Sequence, residues 1–524
     1  MAAAALVTLA GACLTDPATY GTSATGSSSG SGETSSQGST SSDAASSSGA
    51  GGATSSTTSG TTEASSSASA GSTTAGTGGA GGGVPTTMPQ KVWALAINDL
   101  KEQDLAALVV DPDGNTYITG TWEGTNDIND VPWLHGCVGL TTFHAFVAKL
   151  SPTGGVLWGD CLATANASGL AISYESSSHT VVVGGRYTGT LNGFPTGDIT
   201  SMGGTDGFVA RLSHMGTRVS IVSLGGPLDD EVTGVVALPN DAFVAGTFQG
   251  TAAFGSIMRT AQSGADVFVA RTMGTGFAFA RAYVETASAP TAHLSGAAAT
   301  LRLAGTFDGT LDFGGSTSAL ATSGGRDAYL AALDATGNAT FARAFGGAGD
   351  DGVDAVGWSA NGLALGGEFA ATLDFDGPGG QPGLAAAEPP DGFLVELQPT
   401  LALDTQHRFG GAGTQRTLGV SARGTTVVAG GTFTGTVGFG GLDQTAEDED
   451  GFALKGDVQG GIDWVVRLGQ SGDQRVTAAD HTFGVSGGLN VFGGTMIDGF
   501  SIFGQVLGKT GSTTRDIFLV AFQD

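Results

Sequence analysis

The chain has 524 residues, of which 91 are glycine, only 13% are charged, and the formal net charge at pH 7 is −28. Glycine is costly inside a helix, so this composition excludes a mainly helical protein and suits many short strands joined by tight turns. The acidic balance excludes a surface that binds nucleic acid or anionic lipid headgroups, because like charges repel.

Residues 1–13 form an apolar run of mostly small residues that ends in Cys13. Such a run before a cysteine resembles the end of a bacterial lipoprotein signal peptide, in which the cysteine is acylated. The alternative is a cleaved secretory peptide without lipid, and the run is too short to span a bilayer as a helix. We therefore expect export to the outer membrane, cell surface or periplasm, with lipidation at Cys13 as the chain's sole attachment to a membrane.

Residues 14–85 are rich in serine, glycine, threonine and alanine, with no aromatic or large aliphatic side chain from Gly21 to Gly83. Such a segment buries too little apolar surface to offset the entropy lost on ordering. The sequence therefore predicts a disordered tether that carries a folded part, residues 86–524.

A pattern of a small apolar residue, glycine, threonine and an aromatic recurs in the folded part about every 62 residues, which predicts a repeat protein. Its glycines are Gly120, Gly185, Gly246, Gly305, Gly367, Gly431 and Gly494. A second motif follows in phase, in most repeats Asp-x-Phe followed by alternating residues, which is typical of a half-buried strand. Its copies begin at His144, Asp206, Asp266, Asp327, Asp391, Asp450 and Asp516.

Each repeat has room for four antiparallel strands, A to D, which is the composition of a propeller blade. The folded part starts with Val92–Ile97, which has the pattern of a D strand, and it finishes on the C strand at 516–522. The sequence therefore predicts an all-β, seven-bladed β-propeller in which the N-terminal strand completes the last blade and closes the ring.

The combination of the Gly-Thr-Phe pattern, the Asp-x-Phe-Val-Ala motif and a following Phe-Gly-Gly resembles the bacterial seven-bladed β-propeller repeat (SBBP) family over about residues 91–524. This resemblance implies an exported propeller. It implies little about activity, because a fold does not determine a function.

Three sets of residues are candidate sites. In an oxidising compartment Cys137 and Cys161 can form a disulfide, with two free thiols as the alternative. Asp111, Asp113 and Asn115 place oxygens at alternating positions, as in the first half of a calcium loop, although the same letters make a good turn. We expect no other cofactor.

The third set lies in the links between D and A strands, which carry acidic pairs at Asp229 and Asp230 and at Asp350 and Asp351. In a propeller these links emerge on the same face as the long B–C loops, and loops on a rigid scaffold commonly bind ligands. The alternative is that they are solvated turns.

We find no catalytic motif in the sequence. We therefore expect a monomeric, non-enzymatic propeller that binds an extracellular protein or polysaccharide through this face. One alternative is an exported hydrolase-like enzyme whose active-site residues come from several blades at the central axis. Another is a purely structural protein of the envelope.

Overall fold

The structure is a computed structural model, and the part that it describes lies within one compact unit that includes Gly82–Asp524. The residues described are 88–98, 101–123, 127–128, 131–132, 134–135, 142–162, 166–286, 290–376, 382–482, 488–508 and 513–523. The predicted lipidated segment (1–13) and tether (14–85) lie outside this part.

The described residues are all-β, with no helix among them, and the fold is propeller-like. Most of the described strands group by their pairing into sets of four, which we label units 1 to 7, with strands A to D in each. The A strands are Gln103–Val110, Ala167–Glu175, Asp230–Ala237, His293–Ala297, Asp351–Ser359, Gln415–Arg423 and Gln474–Thr482. The B strands are Thr116–Trp122, Thr180–Tyr187, Ala242–Phe254, Thr300–Phe307, Gly362–Phe369, Thr426–Phe433 and Leu489–Met496.

The third and fourth strands complete each unit. The C strands are His144–Leu150, Asp206–Ser213, Ile257–Met273, Asp327–Leu333, Asp391–Leu397, Asp450–Asp457 and Asp516–Gln523. The D strands of units 1 to 6 are Val156–Cys161, Arg218–Gly225, Gly276–Glu285, Ala339–Phe345, Leu403–Gly411 and Ile462–Leu468, and Gln90–Ile97 takes this place in unit 7.

Within each unit the strands pair antiparallel in the order A, B, C, D. In unit 7 the fourth strand comes from the other end of the folded part, because Gln90–Ile97 pairs antiparallel with Asp516–Gln523. Shorter strands are Asp127–Ile128, Val131–Pro132, Leu134–His135, Thr190–Leu191, Ile199–Thr200, Thr310–Asp312, Leu320–Ala321, Thr372–Leu373, Leu384–Ala385, Thr436–Phe439, Leu442–Thr445, Phe500–Ile502 and Gln505–Leu507.

Three of the B–C connections join neighbouring units. Their hairpins reach back and pair with the end of the preceding unit's D strand, as Leu224 does with Phe254 and Gly410 with Gly438. The third pairing joins Val284 to Asp312. These added strand pairs connect adjacent units by backbone hydrogen bonds.

The apolar core lies between the units. In the described part it consists of seven clusters, and each combines side chains of neighbouring units. The aromatic residue of the Asp-x-Phe motif is fully buried in every unit, as the alternation of side chains along a strand requires: Phe146, Phe208, Phe268, Tyr329, Phe393, Phe452 and Phe518.

The repeated glycine of the B strand has a steric cause. A Cβ atom on any of the seven would lie only 1.7 to 2.1 Å from a backbone oxygen in the A strand or just before it, for example 1.9 Å from the oxygen of Glu231 at Gly246. In six units the pairing of A with B shifts by one residue just beyond this point. A β-bulge re-aims the extra residue.

The bulge residue often contacts the next unit. Thr233 Oγ1 donates to the carbonyl oxygen of Ala292 at 2.6 Å, from unit 3 to unit 4. Thr477 Oγ1 donates in the same way to the carbonyl oxygen of Leu105 at 2.8 Å, from unit 7 to unit 1. Each A strand thus lies against the A strand of the next unit, and the A strand of unit 7 lies against that of unit 1.

Candidate functional site

Polar side chains recur at the start of the A strand in six of the seven units. They occupy the second residue of the A strand, its partner on strand B, or both. The paired positions are Asp104 with Thr121, Ser168 with Arg186, Glu231 with Thr247, Gly352 with Glu368, Arg416 with Thr432 and Arg475 with Thr495, and only Gly352 among them lacks a side chain. Because the A strands contact one another in cyclic order, these side chains lie at the same end of the innermost strands.

The charged members pair across unit boundaries. Arg416 of unit 6 donates through Nε and Nη2 to both carboxylate oxygens of Asp354, the bulge residue of unit 5, at 2.7 Å each. Glu368 of unit 5 approaches the same guanidinium at 3.7 Å. A bidentate pair of this kind fixes the plane of the guanidinium group.

Three similar pairs lie at other junctions. Arg475 contacts Glu449 at 2.6 Å, and Glu449 also accepts a hydrogen bond from the Thr432 hydroxyl. Arg186 contacts Glu231 at 3.1 Å. The remaining pair joins units 7 and 1, since Arg515 contacts Glu102 at 3.1 Å and Asp104 at 3.0 Å.

We call this set of four arginines and six acids the charged rim: Glu102, Asp104, Arg186, Glu231, Asp354, Glu368, Arg416, Glu449, Arg475 and Arg515. Its arginine side chains are between 24% and 42% exposed, so they are held by the protein yet reachable from solvent. Ordered donors and acceptors of both signs can hydrogen-bond a polar ligand in a fixed orientation.

Sequence reasoning missed the charged rim. Its members differ in charge from unit to unit, so no motif repeats by residue type. The available signal was positional, because a polar residue directly follows the landmark glycine of strand B in all seven repeats.

The acidic links divide into exposed and buried residues. Asp229 and Asp350 are exposed, and each accepts a backbone N–H across the link, from Thr205 at 2.9 Å and from Arg326 at 3.0 Å. These two bonds brace the preceding B–C loop against the link. The links lie directly before the A strands, at the same end as the charged rim.

Asp230 and Asp351 differ from the expectation of solvent-facing binding residues, because they are only 1% and 2% exposed. Each begins an A strand, and its carboxyl group accepts two backbone N–H groups, those of Gly226 and Gln249 in the case of Asp230. The pKa of Asp230 is raised to about 7, mainly by burial, and the carboxylates of Asp206 and Asp229 contribute to this increase.

The candidate calcium residues form a closed turn. Asp111 is 2% exposed and accepts hydrogen bonds from the backbone N–H groups of Asp113 and Asn115 and from the Asn115 side-chain amide. The Lys149 ammonium lies 3.8 Å away. A calcium ion would have to displace these donors, and calcium binding stays a prediction.

The same turn recurs at the C–D connections. Asp334 Oδ1 accepts the N–H groups of Thr336 and Asn338, and Asp457 Oδ1 accepts those of Gln459 and Gly461. The hydrogen bond from Asn338 is the main reason why the pKa of Asp334 is lowered to about 2. This recurrence favours the turn interpretation of the Asp111 segment. Across the described residues no group of three histidines, cysteines or acids is arranged to hold a metal ion.

Cys161 ends the D strand of unit 1, is buried, and is disulfide-bonded. Its predicted partner Cys137, like Cys13, lies outside the part of the chain that the structure describes. None of the described segments is a helix that could cross a membrane.

Comparison with known proteins gives only remote likenesses. No family model matches the chain, and no curated protein matches it. Among solved structures, a quinohemoprotein alcohol dehydrogenase from Pseudomonas putida HK5 aligns with a TM-score of 0.39 and 10% identity, over 83% of this chain and 76% of that one. The polysaccharide lyase Uly1 aligns with a TM-score of 0.39 and 9% identity, over 83% and 99%.

Proposed function

We propose that this chain is an exported, seven-bladed β-propeller of the SBBP type, closed by its N-terminal strand and carried on a tether from a lipidated Cys13. Seven units with one strand order, and the pairing of Gln90–Ile97 with Asp516–Gln523, support the closed ring. The composition of the preceding residues supports export and the tether.

The propeller acts as a non-enzymatic binding module for an extracellular ligand, and a polysaccharide suits it better than a protein. The charged rim is the observation that carries this proposal. Its arginine, carboxylate and threonine groups offer many directed hydrogen bonds, whereas a stable protein interface normally has an apolar, aromatic-rich centre. The many hydroxyl groups of a polysaccharide can form hydrogen bonds with such a surface.

The test is calorimetric titration of the full chain with a panel of envelope polysaccharides, using the double variant Arg416→Ala with Arg475→Ala. We expect the double variant to weaken binding at least tenfold. The matched control is Arg281→Ala, which removes an exposed arginine of a D strand away from the charged rim. Equal affinity of both variants, or binding of no polysaccharide, would contradict the proposal.

A second candidate function is a hydrolase-like enzyme with an active site spread over several blades. The same feature favours it, because acids and arginines from units 1, 2, 3, 5, 6 and 7 gather at one end of the innermost strands. Turnover of a bound polysaccharide, followed by its reducing ends, separates the two candidates. Product formation that the Arg416→Ala variant abolishes would establish the enzyme.

A further inference from the structure

One buried arginine lies near the end of the strands opposite to the charged rim. Arg302 is the third residue of strand B in unit 4, close to the turn that follows strand A, and it is 8% exposed. Within the described part its single hydrogen bond runs from Nη1 to the carbonyl oxygen of Leu301 at 3.1 Å, and its Nε is buried without a partner. Burial lowers the pKa of its guanidinium group, and no carboxylate opposes this effect. A buried charge without a counter-charge is unfavourable.

Strand register turns Arg302 toward unit 5. Its partners across the sheet are Ser295 of strand A and Ala332 of strand C, and residues directly opposite each other project from the same face. Ser295 Oγ accepts the backbone N–H of Trp358, in unit 5, at 3.2 Å. Ala332 belongs to the apolar cluster that units 4 and 5 share. The guanidinium group therefore belongs to the junction between these two units.

Other units place a basic side chain on the neighbouring strand at this level. The C-strand residue opposite the equivalent B-strand position is Lys149 in unit 1, Arg211 in unit 2, Arg271 in unit 3 and Lys455 in unit 6. Three of them lie between 2.9 and 3.8 Å from a carboxylate oxygen, and Arg211 donates to the carbonyl oxygen of Leu238 at 3.0 Å. In these four units the protein itself supplies an acceptor to the basic group.

The length of a turn explains why unit 5 supplies no such acceptor to Arg302. Arg211 reaches Leu238 in the four-residue turn between strands A and B of unit 3. The corresponding turn of unit 5 has two residues, because Ser359 pairs with Gly362. Ser359 Oγ donates instead to the carbonyl oxygen of Gly424, in unit 6, at 2.9 Å.

The donors at this junction suit an oxyanion. The Nε and Nη2 edge of a guanidinium group binds two oxygens of one group at once, as Arg416 does with Asp354 at 2.7 Å. The fully buried Ser295 hydroxyl uses its oxygen to accept the N–H of Trp358, so its hydrogen remains available to donate. Because Arg302 keeps 8% of its surface exposed, a small anionic group can reach it from solvent.

We propose that Arg302 and Ser295 bind one oxyanion group, a carboxylate, sulfate or phosphate, at the junction between units 4 and 5. The oxyanion provides the counter-charge and the acceptors that the chain itself provides to the basic side chains of the other units. The group belongs either to a free ion or to an acidic ligand, which present the same oxygen atoms. The site lies at the other end of the strands from the charged rim and does not depend on the polysaccharide proposal.

The experiment is equilibrium dialysis of the full chain against radiolabelled sulfate at constant ionic strength, and we expect one sulfate ion per chain. Arg302→Met keeps the length of the side chain without its charge. It should weaken sulfate binding about tenfold or more, because a bidentate charged contact is lost. Ser295→Ala keeps the arginine and should weaken binding about threefold or more, because one neutral hydrogen bond is lost.

Two controls separate this site from other arginines. Arg281→Met removes an exposed arginine from strand D of unit 3. Arg416→Ala with Arg475→Ala changes the charged rim. Both should bind sulfate as tightly as the native chain, so failure of this proposal and failure of the polysaccharide proposal are distinguishable.

Competition identifies the source of the oxyanion. Inorganic phosphate and a galacturonate trisaccharide should both displace the labelled sulfate. Stronger displacement by the trisaccharide supports an acidic ligand, and stronger displacement by phosphate supports a free ion.

Thermal melting provides an independent measurement. Without added oxyanion, Arg302→Met should melt at the temperature of the native chain or higher, because replacing an unpaired buried charge by an apolar side chain is neutral or stabilising. Sulfate should raise the melting temperature of the native chain more than that of the variant, because it binds the folded state.

Three results would overturn the proposal. They are a native chain that binds no sulfate at concentrations up to about 10 mM, an Arg302→Met variant that binds it as tightly as the native chain, and a charged-rim double variant that loses it. If Arg302→Met does not fold, the native chain and Ser295→Ala still decide.

Discussion

The indole Nε1 of Trp93 donates a hydrogen bond to the carbonyl oxygen of Pro152 at 3.0 Å. Trp158 Nε1 makes the equivalent bond to the carbonyl oxygen of His214, also at 3.0 Å. In both cases the ring of a D strand covers the C–D turn of the next unit. Trp93 belongs to the N-terminal strand, so this strand contacts unit 1 in the way that unit 1 contacts unit 2.

The first prediction concerns Trp93→Ala. Removing this ring should lower the free energy of unfolding by about 3 kcal/mol or more, because a large buried contact and its hydrogen bond are lost. Chemical denaturation of the full chain measures the change. Trp158→Ala is the matched variant and should lower the free energy of unfolding by a similar amount. If Trp93→Ala were neutral and Trp158→Ala were not, the N-terminal strand would not contribute as a fourth strand.

The second prediction concerns the landmark glycine of strand B. Gly246→Ala places a Cβ atom against the carbonyl oxygen of Glu231 and should destabilise the fold by about 1 to 3 kcal/mol, because packed backbone cannot move aside cheaply. Gly276→Ala is the control, since a Cβ atom there meets no other atom within 4 Å. Equal melting temperatures for both variants would contradict the steric explanation.

The third prediction concerns a buried ion pair shared by three units. Asp480 accepts hydrogen bonds from Arg423 and Ser421 of unit 6 and from the Val110 N–H of unit 1. Asp480→Ala leaves the Arg423 charge buried and unpaired, and it should lower the free energy of unfolding by about 3 to 5 kcal/mol. Lys101→Ala, which removes a surface pair with Glu123, should cost at most about 1 kcal/mol. A reversed ranking in denaturation experiments would refute this assignment.

The fourth prediction concerns pH. Burial raises the pKa of Asp230 to about 7 in the folded chain. Its contribution to stability is therefore fully present below its unfolded pKa of about 4 and is lost as the pH rises through 7. The melting temperature should fall between pH 5 and pH 8, and Asp230→Asn should reduce this fall. A melting temperature that rises over this interval would contradict the prediction.

The strand positions followed from the sequence because two motifs recur in phase. Six of the seven C strands begin at the predicted residue, and the seventh contains Asp266 within the longer strand Ile257–Met273. The N-terminal D strand was expected at Val92–Ile97 and spans Gln90–Ile97. The alternation of side chains within a strand and the glycine-rich turns between strands are local features of the sequence, and they indicate where each strand lies.

The site residues were harder to predict because their environment is tertiary. Asp230 and Asp351 follow glycines in short links, a pattern typical of solvated turns. Their carboxyl groups are nevertheless buried and accept backbone N–H groups of Gln249 and Ala370, which lie in strand B or directly after it. The bulge that turns Asp354 toward Arg416 also gives no signal in the alternation of apolar and polar residues along the sequence. Only the packing of one unit on the next decides these positions.

Hydrogen exchange of the full chain, read at the backbone amides of Gln90–Ile97, tests the closed ring most directly. If this strand closes the ring, its amides that bond to Asp516–Gln523 should be protected as strongly as those of the D strand Val156–Cys161. Exchange of Gln90–Ile97 at the rate of an unstructured segment, with Val156–Cys161 still protected, would contradict the account.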